Sequence, residues 1–169
     1  MRHLPASLIM LCGTSHGNSA DCPACVDWGV DRLCDGLDSP SLRILAGLLP
    51  PYSTLEVADY TARTLRELGI ELPTGSAAIK AISHSYVSDI VEHPDLMQLR
   101  LKDLCDLCIA EDYEKSIYDF YLLHWAFDDL QQEPVQWYWH GADRSNIHEI
   151  VLERCRSWLH DHDLTLSPS

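Results

Sequence analysis

Apolar residues recur along most of this chain with the period of a helix, and the breaks fall where capping and turn residues stand. From Cys22, Val26, Val30 and Leu33 recur at i, i+4 and i+7, one face of a 3.6-residue repeat. Gly36 marks the stop. Asp38-Ser39-Pro40 opens the next helix, with Ser39 as cap and Pro40 at the first helical position, where a missing N–H costs nothing. That helix, Pro40 to Leu48, sets Leu42, Leu45, Ala46 and Leu49 on one face, and Pro50-Pro51 ends it. Ser53-Thr54-Leu55-Glu56 has the form of a capping box. The helix it opens reaches about Leu68, with Leu55, Tyr60, Leu65 and Leu68 among its apolar positions, and Gly69 stands where a left-handed C-cap belongs.

Pro73-Thr74-Gly75-Ser76 is the next break. Ala77 to Val91 reads as a helix buried along Ile79, Ile82, Tyr86, Val87 and Ile90. Pro94-Asp95 restarts the chain, Leu96 to Ala110 and Lys115 to Leu130 read as two more helices, and Glu133-Pro134 stops the second. Val135 to Trp139 is aromatic without a helical period. Ser145 is placed to cap a last helix running to about His160. No alternation long enough to need a sheet occurs, and no repeat of 20–50 residues is evident. The expectation is an all-α fold, a compact bundle of about seven helices, forming one domain over residues 21–160 between a flexible extension (1–20) and a frayed tail (161–169).

Composition is ordinary for a globular chain, with 46% apolar and 22% charged residues among 169. Charge changes the picture. Twenty-six acids against twelve Lys and Arg give −14, which disfavours nucleic acid and acidic membrane surfaces as partners and leaves a basic protein. The acid is uneven. Residues 102–169 hold fourteen Asp and Glu against five Lys and Arg, including Glu111, Asp112, Glu114, Asp119, Asp128, Asp129 and Glu133.

The seven cysteines are an odd and modest number, which points to reduced thiols and a cytoplasmic setting. At the N-terminus, Met1-Arg2-His3, the apolar stretch Leu4 to Cys12 and Asn18-Ser19-Ala20 have a weak signal-peptide form. Pro5 interrupts the stretch, and Asn18 is a poor residue two before a cleavage point. No segment approaches the 18 or more apolar residues of a membrane span.

Candidate chemistry is sparse. Cys22-Pro-Ala-Cys25 and Cys105-Asp-Leu-Cys108 share the spacing of a zinc or redox pair. Some eighty residues separate them, and the second pair lies on an amphipathic helix beside Leu101, Leu104 and Ile109, as core cysteines do. His124 and Asp128 stand four apart on a helix, a spacing that can ligate a metal with help from His84, His140 or His148, or can be a partly buried hydrogen-bonded pair. Ser83-His84-Ser85 does not make a catalytic dyad by adjacency, and there is no P-loop, G-x-S-x-G or G-x-G-x-x-G. The expectation is no catalytic residue, no metal and no cofactor.

The run Asp38-Ser39-Pro40-Ser41-Leu42-Arg43-Ile44-Leu45-Ala46-Gly47-Leu48 follows Asp27-Trp28-Gly29-Val30 and precedes Glu56-Val57 and Leu65-Arg66-Glu67-Leu68-Gly69. In this order the chain, over Val26 to Trp158, resembles a group of small acidic helical bacterial proteins with a "DSxSLRILAGL" helix, associated with toxin-immunity roles. The resemblance implies a non-enzymatic protein that binds and neutralises a basic protein toxin. Residue types alone explain the run equally: Leu42, Leu45 and Leu48 as core, Gly47 as a point of close helix approach, Arg43 as surface. Taken with the acid, the reading places partner contacts at Asp112, Glu114, Asp119, Asp128, Asp129 and Glu133, with Trp137 and Trp139 as anchors and Trp125 in the core. A metal- or thiol-dependent enzyme using His124, Asp128 and the cysteine pairs is the rival reading. A structural or regulatory helical module whose acid serves only solubility is the third.

Overall fold

The helix starts are made by short polar side chains. Asp21 accepts from the Ala24 amide at 3.1 Å ahead of α2 (Cys22–Cys34). Ser39 accepts from Leu42 at 3.2 Å ahead of α3 (Pro40–Ala46), and Ser53 from Glu56 at 3.4 Å ahead of α4 (Thr54–Glu67). Each bond satisfies an amide that has no carbonyl partner in the first turn. The stops follow the glycines. At Gly36 and Gly69, φ is +85° and +66°, a region that only a residue without Cβ enters freely. The following amides, Leu37 and Ile70, reach back to Arg32 and Leu65 oxygens at 3.0 and 2.8 Å. The remaining helices are α1 (Ala6–Gly13), α5 (Ser76–Glu92), α6 (Met97–Ala110), α7 (Tyr118–Gln132) and α8 (Ile147–Asp161), with short 3-10 turns at Pro94–Leu96 and Lys115–Ile117. This computed structural model describes residues 4–13 and 21–162. Among the described residues there are eight α-helices and no strand, so the protein is all-α.

The chain divides into two compact units, Met1–Ile82 and Ser83–Ser169, with the boundary inside α5. The sequence reading expects one domain over 21–160. A continuous helix hides the boundary, because no Pro, Gly or polar linker marks it.

In the first unit, α1 to α4 enclose a core of Leu8, Leu11, Cys25, Val26, Trp28, Leu42, Leu45, Val57 and Leu65. The apolar stretch placed in a flexible extension is therefore in part a helix, and Leu8 is fully buried. The expected cleavage residues Asn18–Ala20 lie outside the described residues, as do 163–169 of the expected tail. Along α2 the buried set is Cys22, Cys25, Val26, Trp28 and Gly29, while Val30 is exposed. The close helix approach falls at Gly29, not Gly47. A Cβ on Gly29 would stand 3.3 Å from Leu45 Cγ and 3.4 Å from the Ala46 nitrogen, so α3 rests directly on α2. Gly47 ends α3 and faces only that helix's own carbonyls. Leu49 and Leu55 are exposed, whereas Thr61 and Thr64 are fully buried on α4. Glu67, at the end of α4, accepts from the Ser41 amide and hydroxyl at 3.0 and 2.7 Å. Those bonds hold its carboxyl below the usual carboxylate range and supply α3 with a second cap from another helix.

In the second unit, α6 packs along α7, and α8 closes over α7. Leu101, Leu104, Cys105, Cys108, Phe120, Leu123, Leu130, Val151, Cys155 and Trp158 are buried. Trp158 Nε1 donates to the Ser116 carbonyl at 2.7 Å, and its ring meets Phe120 edge-on at 6.2 Å. His162, expected in the frayed tail, stacks on Trp158 at 4.2 Å. The Arg144 side chain donates to the Leu130 carbonyl at 2.7 Å, near the end of α7, where carbonyls lack amide partners. Ser145 does not cap α8. Its amide bonds Asp143 at 2.7 Å, and Asn146 accepts from the Asp143 amide at 2.7 Å, so the turn is knotted onto Asp143.

The contact at Gly29 makes a direct prediction. Gly29→Val should lower the unfolding free energy in urea by about 1–3 kcal/mol, since overpacking a close helix contact forces both helices apart. Gly47→Ala should change it by less than about 0.5 kcal/mol.

Candidate protein-docking face

Helix α7 divides its residues between two environments. Phe120, Leu123, Ala126, Phe127 and Leu130 face the core of the second unit. Tyr118, Tyr121 and Trp125, at i, i+3 and i+7, form a second stripe of half-buried and exposed aromatic rings. Tyr118 and Tyr121 stack at 5.3 Å between centroids. Tyr113, from the turn after α6, meets Tyr121 edge-on at 5.6 Å and Tyr118 at 6.5 Å. Tyr138, from the loop after α7, lies 6.3 Å from Trp125. Lost hydration and the neighbouring Tyr113 and Tyr118 hydroxyls hold the Tyr121 phenol above its usual range, and Tyr138 adds to the same effect. One turn, one helix face and one loop thus present two ring groups, Tyr113–Tyr118–Tyr121 and Trp125–Tyr138, which α7 carries along one strip within the second unit.

The turn and the loop are held by backbone chemistry. After α6 the Tyr113 amide reaches back to the Cys108 carbonyl at 2.8 Å, and Asp112 and Tyr113 both take positive φ, 53° and 59°. This is a helix ending built without glycine, an uncommon conformation for a tyrosine that sets the direction of its Cα–Cβ bond. The loop after α7 is organised by the single side chain of Gln136. Its Oε1 accepts from the Tyr138 and Trp139 amides, both at 2.8 Å, and its Nε2 donates to the Trp139 and Ala142 carbonyls. Two acceptor and two donor bonds exhaust the amide. Val135 to Trp139 is a loop, with Trp137 90% exposed and Trp139 half-buried. Trp125 is half-buried on the strip, not in the core.

The acidic residues divide in the same way. Asp112 and Glu133 are exposed, and Asp128 and Asp129 are half-buried; none of the four pairs with a described Lys or Arg. Asp119 binds Arg154 at 2.7 Å and so ties α7 to α8. Glu114 accepts from the Ser116 amide at 3.0 Å and caps the 3-10 turn. These two carboxylates are structural ties as well as charge. By sequence the second unit carries seventeen acids and six bases, the first nine and six, so −11 of the −14 belongs to the unit with the aromatic strip.

The other candidates disperse. The His124 ring rests on Trp125 at 5.1 Å. Burial draws its pKa down, against the pull of Asp128 and Asp106. Asp128 accepts from Gln132 at 3.3 Å, not from His124. His84 lies by Ser88 and Trp158, His148 packs on Phe127 at 5.1 Å, and His140 is exposed in the loop. Among the described residues no three His, Cys, Asp or Glu side chains converge as a metal site would. Cys22 and Cys25 lie in the first unit, Cys105 and Cys108 in the second. Burial pushes the Cys105 and Cys108 thiols up to about 11 and Cys155 up to about 12. Cys108 donates to the Glu114 carbonyl at 3.7 Å.

The sequence reading singled out Trp137, Trp139 and the acids, with Tyr138 in the same aromatic group, but missed Tyr113, Tyr118 and Tyr121. The i, i+3, i+7 spacing of Tyr118, Tyr121 and Trp125 was the available signal, masked by the equally regular core stripe beside it. No family model matches the chain, and neither does any curated protein or solved structure. Among the described residues no helix is long and apolar enough to cross a membrane.

Two measurements test this geometry. Gln136→Met keeps the bulk and removes all four bonds, so the Tyr138 and Trp139 amides should exchange with solvent at least about tenfold faster, the cost of roughly one lost hydrogen bond each. The thiols predict alkaline sensitivity. A thiol whose pKa is raised on folding stabilises the protein below its unfolded value near 9.0 and loses that contribution as the pH climbs toward the folded value. Unfolding free energy should fall between pH 9 and 12, with a shallower slope in Cys155→Ala.

Proposed function

We propose that the chain is a non-enzymatic, cytoplasmic bacterial protein of the immunity type, which binds a basic protein toxin through its second unit and blocks it. One observation carries the reading: an aromatic strip exposed to solvent within a unit of net charge −11. Tyrosine and tryptophan are the side chains that most often carry binding energy at protein interfaces, because they bury a large area at a small entropy cost. Unpaired carboxylates beside them attract a partner of opposite sign and raise its association rate. The resemblance of the Asp38–Leu48 run to toxin-immunity proteins points the same way.

The roles divide by geometry. Trp137, on the loop after α7, is the most exposed large ring and serves as an anchor, and Tyr113, Tyr118 and Tyr138 are the exposed rings of the strip. Trp139, half-buried and bonded through Gln136, supports the loop. Asp112, Asp128, Asp129 and Glu133 form the steering rim, while Asp119 and Glu114 hold the unit's own structure.

The test uses the product of any gene beside this one that encodes a basic protein. Mixed with this chain, that protein should lose its toxic activity, and association should slow as salt rises. Reversal of Asp112 or Glu133 should lower the association rate, each costing no more than about 1 kcal/mol at physiological salt. Trp137→Ala should instead speed dissociation, by roughly 2 kcal/mol or more if the ring fills a pocket. Association indifferent to salt and to both reversals would reduce the acid to a solubility device and remove this reading.

A further inference from the structure

The protein already contains one worked example of how its tyrosines and carboxylates receive a cation. Arg100 lies over the Tyr86 ring, 5.1 Å from its centroid, while its Nε donates to Asp89 at 2.7 Å and its NH1 group to Asp103 at 2.8 Å. Tyr86 and Asp89 stand three apart on α5, and Asp103 stands three beyond Arg100 on α6. A planar guanidinium can lie on a ring and donate sideways to carboxylates at once; an ammonium cannot do both with the same geometry. The exposed strip repeats the ingredients without the cation. Tyr118 and Tyr121 stand three apart on α7 with stacked rings, Tyr113 closes one edge, and Asp112 adjoins Tyr113 in the turn. Lys102, the lysine of the neighbouring helix, is committed to Asp106. No described Lys or Arg lies over the three rings.

We infer that the Tyr113–Tyr118–Tyr121 cluster with Asp112 is a receiving site for an arginine side chain of the basic partner, and that the face selects arginine over lysine. The inference rests on the docking role proposed above and makes it more specific. The steering rim responds to charge of any kind. The tyrosine cluster responds to the shape and weak hydration of the guanidinium.

Two synthetic peptides of equal length and charge, identical except that every cationic residue is arginine in one and lysine in the other, separate these effects. Their binding to the full-length chain would be measured by titration calorimetry at several salt concentrations, beside an uncharged control peptide. The arginine peptide should bind about three- to tenfold more tightly. Tyr118→Leu, a change at a helix surface, should weaken the arginine peptide more than the lysine peptide and bring the two affinities to within about twofold of each other. Tyr118→Phe, which keeps the ring, should retain most of the preference, and circular dichroism of both variants should match the parent. Equal affinity for the two charged peptides, both above the control and weakened by salt, would overturn the arginine site and leave the docking face standing. Binding of both no better than the control would overturn the docking face as well.

Discussion

The hydrogen bond from Trp158 to the Ser116 carbonyl is the constraint on which the second unit depends. A tryptophan buried completely must find an acceptor for its indole N–H, or the burial costs most of what the ring contributes. The acceptor here belongs to the turn between α6 and α7, forty-two residues earlier. One bond therefore fixes α8 to the entry of α7. Phe120 and His162 close around the same ring, and the Arg154–Asp119 pair repeats the tie one turn further along α7. With its start held from behind, α7 has a fixed rotation about its axis. Its apolar stripe then faces the core, and Tyr118, Tyr121 and Trp125 must face elsewhere.

That division explains how one unit carries a packed interior, an aromatic surface and most of the acid. Core positions are filled by Phe, Leu and Ala, which need no hydrogen-bond partner. The outward rings are Tyr and Trp, each with a polar tip that water can satisfy. The acids fall into those consumed by structure, Asp119 and Glu114, and those without a described cationic partner, Asp112, Asp128, Asp129 and Glu133. Within the second group Asp112 and Glu133 are exposed, while Asp128 also accepts from Gln132. Gln136 holds the loop after α7 through four hydrogen bonds, and the left-handed residues Asp112 and Tyr113 shape the turn after α6.

The first unit is built differently. Two of its helices, α1 and α3, are short, and the helix starts are satisfied by Asp21, Ser39, Ser53 and, across helices, Glu67. Its closest contact needs the absence of a side chain at Gly29. It carries a charge of only −3 by sequence. The cysteines of both units lie mostly in cores, where desolvation holds Cys105, Cys108 and Cys155 protonated. The CxxC spacing is here a property of helix faces, since residues three apart on a helix turn toward the same neighbours.

Local chemistry was legible in the sequence. The helix starts at Ser39 and Ser53, the stops at Gly36 and Gly69, the stripe Ile79, Ile82, Val87 and Ile90, buried as expected while Tyr86 in the same stripe is half-buried, and the all-α class follow from interactions within a few residues, which the sequence itself contains. What it did not contain is the rotation of each helix against its neighbours. Val30 and Leu49 fit a helical stripe as well as Gly29 and Leu45 do, and only the approach of α3 to α2 decides which set is inside. The helix in the N-terminal stretch needed a core to receive Leu8, because eight residues of helix are not stable alone. The aromatic strip was invisible for the same reason: two regular stripes run along α7, and periodicity cannot say which one the core will take. Trp158 and its distant carbonyl made that choice, since hydrogen bonds and packing between residues far apart in the chain are determined by the tertiary structure alone.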